Sequence, residues 1–261
     1  MAIVKADLHI HSVLSPCGSL EMSPRAILDR ALEVGLDLIA LTDHNAANNC
    51  RALRDYRRQR NVTEVDCLFG IEAQTREEVH LLCLFDRLEV VERFGGYLRE
   101  YLPEVENNEE YFGEQLIVDP DEEITGREER LLANSLDLSL EEVAQETYRR
   151  GGVPIPAHVA RKAFGILEQL GFIPALPTGG FEALELGPEV PLGDLEEEFG
   201  PLNQYTVIRS SDAHRPGEIG TAWTEMQLEK PSIEELRKAF RGEAGRGVIG
   251  YGKPVDEGAK P

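Results

Sequence analysis

Positive charge is scarce in this chain: 27 Lys and Arg stand against 48 Asp and Glu, for a formal net charge of −21 at pH 7. Neutralising the phosphates of a duplex needs clustered cations, so the expectation is that no long duplex nucleic acid is bound, while a short nucleotide stays open. Long apolar runs are missing too. None approaches the roughly 20 residues of a membrane span, and MAIVKADLHIHS reaches polar motif residues too soon for an apolar leader. No membrane contact is expected. The four cysteines, Cys17, Cys50, Cys67 and Cys83, lack CxxC spacing and small-scaffold density, which reads as reduced thiols in a cytoplasmic protein. The 261 residues, 41% of them hydrophobic, can bury one substantial core and suit a single domain, 1–261, of α/β-barrel size.

Histidine is sparse as well, and where it occurs it sits in short motifs. The six are His9 and His11 in DLHIHS, His44 in TDH, His80 in EVHLL, His158 in PAHV and His214 in SSDAH. Side chains two apart in a strand share a face, so an HxH in a strand aims both imidazoles at one point and can chelate one ion. Asp7, Asp43, Glu72 and Asp212 stand beside these histidines or at similar strand ends. Such mixed imidazole and carboxylate sets suit zinc, manganese or iron better than magnesium or calcium. Each motif has a plainer reading: His80 as a hydrogen-bonded core residue, TDH as a strand end before a helix cap, SSDAH as a polar turn. Six histidines in such settings at once favour a polynuclear metal site.

Apolar and polar stretches alternate as β and α units. IVKADLHI reads as a strand, and SPRAILDRALEVG as a helix with Ser23 as N-cap, Pro24 in the first turn and Gly35 as stop. LDLIALT is an apolar strand ending at Asp43 and His44, a polar helix spans about 48–60, and VDCLFGIEAQT and VHLLCLF are further strands. In the second half come a helix capped by a Ser139/Glu142 box, the strands VPIPAHV, FEALELG and YTVIRSSDA, and a helix with a second box, Ser232/Glu235. Repeated βα units with functional groups at strand ends predict a parallel barrel or sheet. An acidic insertion at about 103–137 interrupts the pattern. It reads as a solvated surface excursion, with a lid or a protein-partner surface as the functional alternative. Tyr111, Phe112 and the apolar stretch 115–118 argue that it folds, with a hairpin turning at Pro120 and Asp121.

Taken in order, DLHIHS, TDH, the Glu72 strand, a histidine in each of two later strands and a closing DAH resemble the PHP (polymerase and histidinol phosphatase) family, over residues 7–214. That resemblance implies an α/β fold, a distorted (β/α)7 TIM-like barrel with two or three divalent metal ions at the C-terminal mouth of the strands. It also implies His9, His11, Glu72 and Asp212 around a first ion, Glu72 bridging to a second completed by His80 and His158, and His44 with His214 at a third. Where some relatives supply another histidine after DLHIHS, this chain has SPCG. Cys17 there is either a thiolate ligand, which zinc accepts, or a small residue in a turn. Without it, His44 or His214 is free to act as a general acid. Asp7 and Asp43 are expected to orient ligand imidazoles.

The charges suggest a mechanism. Two ions bridged by Glu72 would lower the pKa of a shared water and produce a metal-bridging hydroxide that attacks a phosphate ester. Cations just beyond the motifs would steady the phosphate: Arg161, Lys162 and Arg215, with Arg76 a weaker candidate, although each has surface pairing with an acid as its ordinary role. The expected activity is metal-dependent phosphoester hydrolysis, on a small phosphomonoester or nucleotide. The alternative is a metal-binding regulatory or scaffolding module with little turnover.

Overall fold

A computed structural model describes residues 1–176 and 179–253; the end of the expected 1–261 domain lies outside these. The elements run β1 (Ala2–Ile10), α1 (Pro24–Val34), β2 (Leu38–Leu41), α2 (Cys50–Gln59), β3 (Asp66–Gln74), β4 (His80–Phe85), α3 (Leu88–Tyr101), α4 (Glu109–Phe112), β5 (Leu116–Val118), β6 (Ile124–Arg127), α5 (Leu140–Arg149), β7 (Val153–Pro156), α6 (Ile166–Leu170), β8 (Ala183–Leu186), α7 (Leu192–Phe199), β9 (Thr206–Arg209), β10 (Trp223–Leu228), α8 (Ile233–Phe240) and β11 (Gly247–Gly252). Local chemistry accounts for several boundaries. Ser23 accepts from Ala26 N and Gly35 takes the left-handed conformation, so α1 starts and stops as its sequence requires. The Ser139/Glu142 capping box closes at the head of α5. At α8 only half of the expected second box forms. Ser232 accepts from Glu235 N, but the Glu235 carboxylate accepts from Glu229 N and Arg246 instead.

Seven strands form one sheet in the order β11-β10-β1-β2-β3-β4-β7, with β8 and β9 as a separate parallel pair. The sheet is mixed, which corrects the expectation of a parallel one. Two βα crossovers make β1, β2 and β3 parallel, but β3 pairs with β4 antiparallel, and β4 with β7 likewise. The reason is connection length. Only residues 75–79 separate β3 from β4, and a parallel crossover needs about a dozen residues or more. Beyond β7 and β8, Val159 N donates to Glu185 O, and past β9 the chain returns to β1 through His11 N to Ala213 O. The gaps on both sides of the β8–β9 pair are thereby bridged at the end of the sheet where the histidines gather. Apolar side chains fill both faces, in a larger cluster under most of the helices and a smaller one inside the strand curl that also takes in α8.

The acidic insertion is folded and fastened down. β5 and β6 form the expected antiparallel hairpin around Pro120 and Asp121. Leu116 N donates to Val13 O. The buried Asn49 side chain, at the head of α2, donates to Ser12 Oγ and Leu116 O and accepts from Val118 N. This amide ties the hairpin to the loop after β1. Asn49→Ala would leave the Leu116 carbonyl and Val118 N–H buried without partners, at a cost of about 2–3 kcal/mol. Denaturant unfolding should show that loss, and limited proteolysis should cut faster within 113–128; an unchanged midpoint and cleavage rate would mean that other contacts hold the hairpin.

Candidate metal centre

All six histidines converge at one end of the sheet. β1 delivers His9, and His11 follows just beyond it; their Nε2 atoms face each other at 3.0 Å. β3 carries Glu72, and β4 opens with His80 on the same side, since Gln74 pairs with His80 and Glu72 with Leu82. His44 follows β2 and bridges to Glu72. His158 and Asp212 lie past the ends of β7 and β9, both with positive φ, +32° and +52°. Side chains rarely take that conformation outside glycine and asparagine. Here it turns two functional groups into the centre.

The distances describe three overlapping groups of donor atoms. His9, His11 and Asp212 form one, His44, Glu72 and His80 a second, and His11, His44 and His214 a third. In the first, Asp212 Oδ1 is 3.2 Å from both Nε2 atoms, and the two Glu72 oxygens are 3.3 Å from His9 and 3.4 Å from His11. In the second, Glu72 Oε1 is 2.8 Å from His80 Nδ1 and 3.0 Å from His158 Nε2, while Glu72 Oε2 is 2.9 Å from His44 Nδ1. Glu72 therefore joins the first two groups. His44, expected only at a third position, stands between the second and third.

Ring orientation tests whether these atoms fit a cation. His9 Nδ1 donates to Glu185 Oε2 at 2.9 Å. Ser15 donates its hydroxyl hydrogen to Asp43, and its oxygen is 3.0 Å from His11 Nδ1. With both Nδ1 atoms engaged as donors, neutral His9 and His11 point bare lone pairs at each other and at two carboxylates. That arrangement is repulsive without a positive charge between the atoms, supplied by a proton on His9 or by a metal ion. Separations of 3.0–3.4 Å match the roughly 3.3 Å edge of a tetrahedron with bonds of about 2.0–2.1 Å. His44 Nδ1 and His158 Nδ1 are buried without hydrogen-bond partners; His44 Nδ1 approaches Glu72 without the alignment of a hydrogen bond. The set thus fits divalent ions.

Electrostatics agree. Burial would raise the Glu72 pKa, yet His80, His9 and His44 hold it well below the ordinary range. Burial disfavours charge on His9, but Asp212, Glu185 and Glu72 drive its pKa well up, while burial and the neighbouring His214 drive His11 well down. Cys17 is exposed at its backbone loop, with its thiol turned toward His44 and His214; these outweigh burial and bring it down from 9.0 to about 6. It does not join any of the three close groups.

The supporting carboxylates differ from the sequence reading. Asp43 accepts from Ser12 N and Ser12 Oγ at 2.6 Å each, and reaches His11 only through Ser15. Asp7 accepts from Ser211 N and Gly220 N, with burial pushing it up to about 6. It fixes the loop behind Asp212, and the carboxylate against the His9 ring is Glu185. Sequence reasoning passed over Glu185; its only signal was that, of the two acids in FEALELG, it is the one flanked by leucines.

Among the candidate cations, Arg161 Nη1 lies 2.9 Å from Asp212 Oδ2, whereas Arg76 is engaged with Asp137 and lines neither of the two cavities at the centre. Arg161 and Arg215 both line a cavity of about 750 Å³ that also touches His158, Asp212 and His214. A smaller one of about 220 Å³ lies over Cys17, His44, Glu72, His80 and Asp212. Lys162 is exposed and lines neither. No helix among the described residues is long and apolar enough to cross a membrane.

Residues 7–146 match the family described as PHP domain, and residues 203–244 that described as PHP-associated. The uncharacterized protein YqxK of Bacillus subtilis (strain 168) is 23% identical across 95% of this chain and 65% of its own length. The lesion-specific endonuclease PfuEndoQ from Pyrococcus furiosus superposes with a TM-score of 0.70 at 21% identity, over 96% of this chain and 58% of that one. Endonuclease Q in complex with a 27-mer duplex carrying an abasic lesion at its active site gives 0.68 at 22%, over 95% and 58%. A candidate metal-dependent phosphoesterase from Bifidobacterium adolescentis gives 0.53 at 18%, over 81% and 88%. This chain spans less than two thirds of the first two relatives.

The duplex complex overturns the expectation that long duplex nucleic acid is excluded. A fold like this one engages a duplex in endonuclease Q. Net charge sums over a whole surface, whereas binding responds to the local field at a mouth, and Arg161 and Arg215 stand at this one.

Glu185→Ala should lower metal affinity about 10- to 100-fold, and Glu185→Gln far less, because its carbonyl oxygen can still accept from His9 Nδ1 and His158 N. Chelator competition reads both; equal losses would mean that Glu185 acts through charge and not through ring orientation.

Proposed function

The chain belongs to the PHP family, and on that premise we propose that it is a metal-dependent phosphoesterase whose centre is the histidine and carboxylate cluster. The observation that carries this reading is the facing pair of His9 and His11 lone pairs, set among Asp212 and Glu72 at tetrahedral spacing. His9, His11, Asp212 and Glu72 would hold one ion, and Glu72, His80 and His158 a second with His44 beside it. His44 and His214, with His11 and Cys17 near, would hold a third. Manganese, zinc and iron all suit these donors. When bound, such ions polarise phosphoryl oxygens and make a water more acidic. The C-terminal ends of β1, β2, β3, β7 and β9, which carry or precede all of these residues but His80 and Cys17, support the distorted (β/α)7 arrangement with the centre at its C-terminal mouth; His80 enters from the start of the oppositely running β4.

The chain's own groups supply the rest. Arg161 and Arg215 draw a phosphate into the mouth, and Arg161, held by Asp212 through Nη1, keeps its remaining N–H donors for that phosphate. Glu72 keeps its charge, being surrounded by imidazoles, and holds the two donor groups in one register. With two ions bound, His214 stays free. It lines both cavities and is placed to give a proton to the leaving oxygen. Cavities of about 750 and 220 Å³ share Cys17, Arg161, Asp212 and His214 in their walls and together accommodate a substrate of nucleotide size, so a small phosphomonoester or nucleotide is the first reading. The likeness to endonuclease Q favours a second, cleavage of a phosphodiester in duplex DNA. The 58% share of that chain spanned here makes this a reading to be tested directly.

The test is product release by metal-free protein reconstituted separately with manganese, zinc and iron. Its panel is small phosphomonoesters, mononucleotides, short oligonucleotides and a duplex with an abasic site. Turnover on one class is expected, and Glu72→Gln should reduce it at least about 100-fold with the circular dichroism unchanged. Arg161→Met should raise KM about tenfold while metal content stays that of the parent. Silence across the panel with metals bound would replace this reading by a regulatory or scaffolding role.

A further inference from the structure

The acidic insertion reaches the metal centre. Gly113, at φ +100°, lies so close to the loop after β1 that an added Cβ would sit 2.1 Å from the Pro16 carbonyl oxygen. Asn107 Nδ2 donates to Gly113 O at 2.8 Å. The first contact sets the end of α4 against the loop that carries Cys17, and the second closes the turn around α4. Its last residue, Phe112, lines the 220 Å³ cavity over the ligands, together with Cys17, His44 and Arg161.

Phe112 is 40% exposed and its neighbour Tyr111 79%. Their rings meet edge to face, with centroids 4.6 Å apart at 79°. Scattered single aromatics on a surface need no explanation. Two in contact, one of them walling a cavity that also holds an arginine and the candidate ligands, form a ring-binding surface beside a phosphate-binding one. A third ring, Phe164, lines the same cavity and stacks on His80 at 4.3 Å and 3°. Phe164 is held at φ +68°, a conformation that costs a bulky residue about 1 kcal/mol or more.

We infer that Phe112, braced by Tyr111, is a stacking platform for a nucleobase, and that the centre takes phosphate esters carrying a base rather than ring-free ones. This rests on the phosphoesterase reading for the position of the phosphate. The chemistry is base recognition by an aromatic face, which tolerates any base because every base has a π-face and which accounts for about tenfold or more in affinity per base. A base beside a phosphate is common to free nucleotides and to strands. The platform serves either source.

The experiment is equilibrium binding of AMP, ribose 5-phosphate and a 5′-phosphorylated deoxyadenosine hexamer to the manganese-reconstituted protein, with product analysis of the same samples. The parent should bind AMP at least about tenfold more tightly than ribose 5-phosphate. Phe112→Ala and Phe112→Leu should both collapse that ratio, the latter keeping apolar volume in case the former disturbs the fold, and Phe112→Trp should preserve it. Hexamer binding tighter than AMP identifies a strand as the source; equal binding identifies the free nucleotide. Equal affinity of the parent for AMP and ribose 5-phosphate, or a ratio unmoved in both the alanine and leucine variants, overturns the platform and leaves the aromatic pair to a protein partner. Hydrolysis with no preference for the base would keep the phosphoesterase and remove the platform, whereas a preference lost in the variants with no hydrolysis would do the reverse.

Discussion

The structure is organised around an unfavourable interaction: nitrogen lone pairs and carboxylate oxygens brought to within 3.0–3.4 Å of one another in a buried place. Neutral imidazoles do not resolve that crowding, because their single ring hydrogens are committed outward, to Glu185 and to Ser15; an added positive charge, a proton on His9 or a bound ion, does. The surrounding structure is built to hold the arrangement despite its self-repulsion. Asp43 locks Ser15, and Glu185 accepts from both His9 and the His158 backbone. Asn45, His158, Phe164 and Asp212, all around the rim, take positive φ. Backbone strain of this sort persists only where packing over-determines it, and the apolar clusters on the two faces of the sheet provide that packing.

Much of the centre was legible because it is written locally. HxH in a strand forces two imidazoles together, and the helices between β1, β2 and β3 force those strands parallel, so His9, His11, His44 and Glu72 meet through short-range rules. The parts misread depend on long-range geometry. The turn at 75–79 was visible, but counting strands as βα units hid the fact that five residues permit only a hairpin. Asp7 and Asp43 were assigned to rings by proximity in sequence. Instead Asp7 reaches across to Ser211 and Gly220, while the ring of His9 is held from β8 by Glu185. An acid in an apolar strand has the same pattern whether it faces water or the inside of a curl, and only the closure of the strands distinguishes the two.

The insertion shows the same limit. Its acidic composition described its outer surface correctly, with Glu104, Glu109 and Glu122 paired to nearby arginines. Its inner side is set by a few contacts that composition does not encode: the Asn49 amide, the Leu116 to Val13 bond and the approach of Gly113 to Pro16. These bring a segment read as peripheral to the edge of the centre. The same distinction between summed and local charge means that an acidic total is compatible with a fold also seen on duplex DNA.

Asp7 has one more consequence, which concerns order of assembly. His9 meets Glu185 and Asp212, Leu8 N meets Ser210, and Asp7 meets Gly220; the last pair is separated by 213 positions. No neighbouring stretch of chain can make this cluster alone, and contacts of such separation are reached only after most of the chain's loop-closure entropy has been lost. The first strand must wait, its histidines in place but incomplete, for the last third of the polypeptide to arrive. Any ion held there joins His9 and His11 to Asp212, and so reports that segments about 200 positions apart have come together.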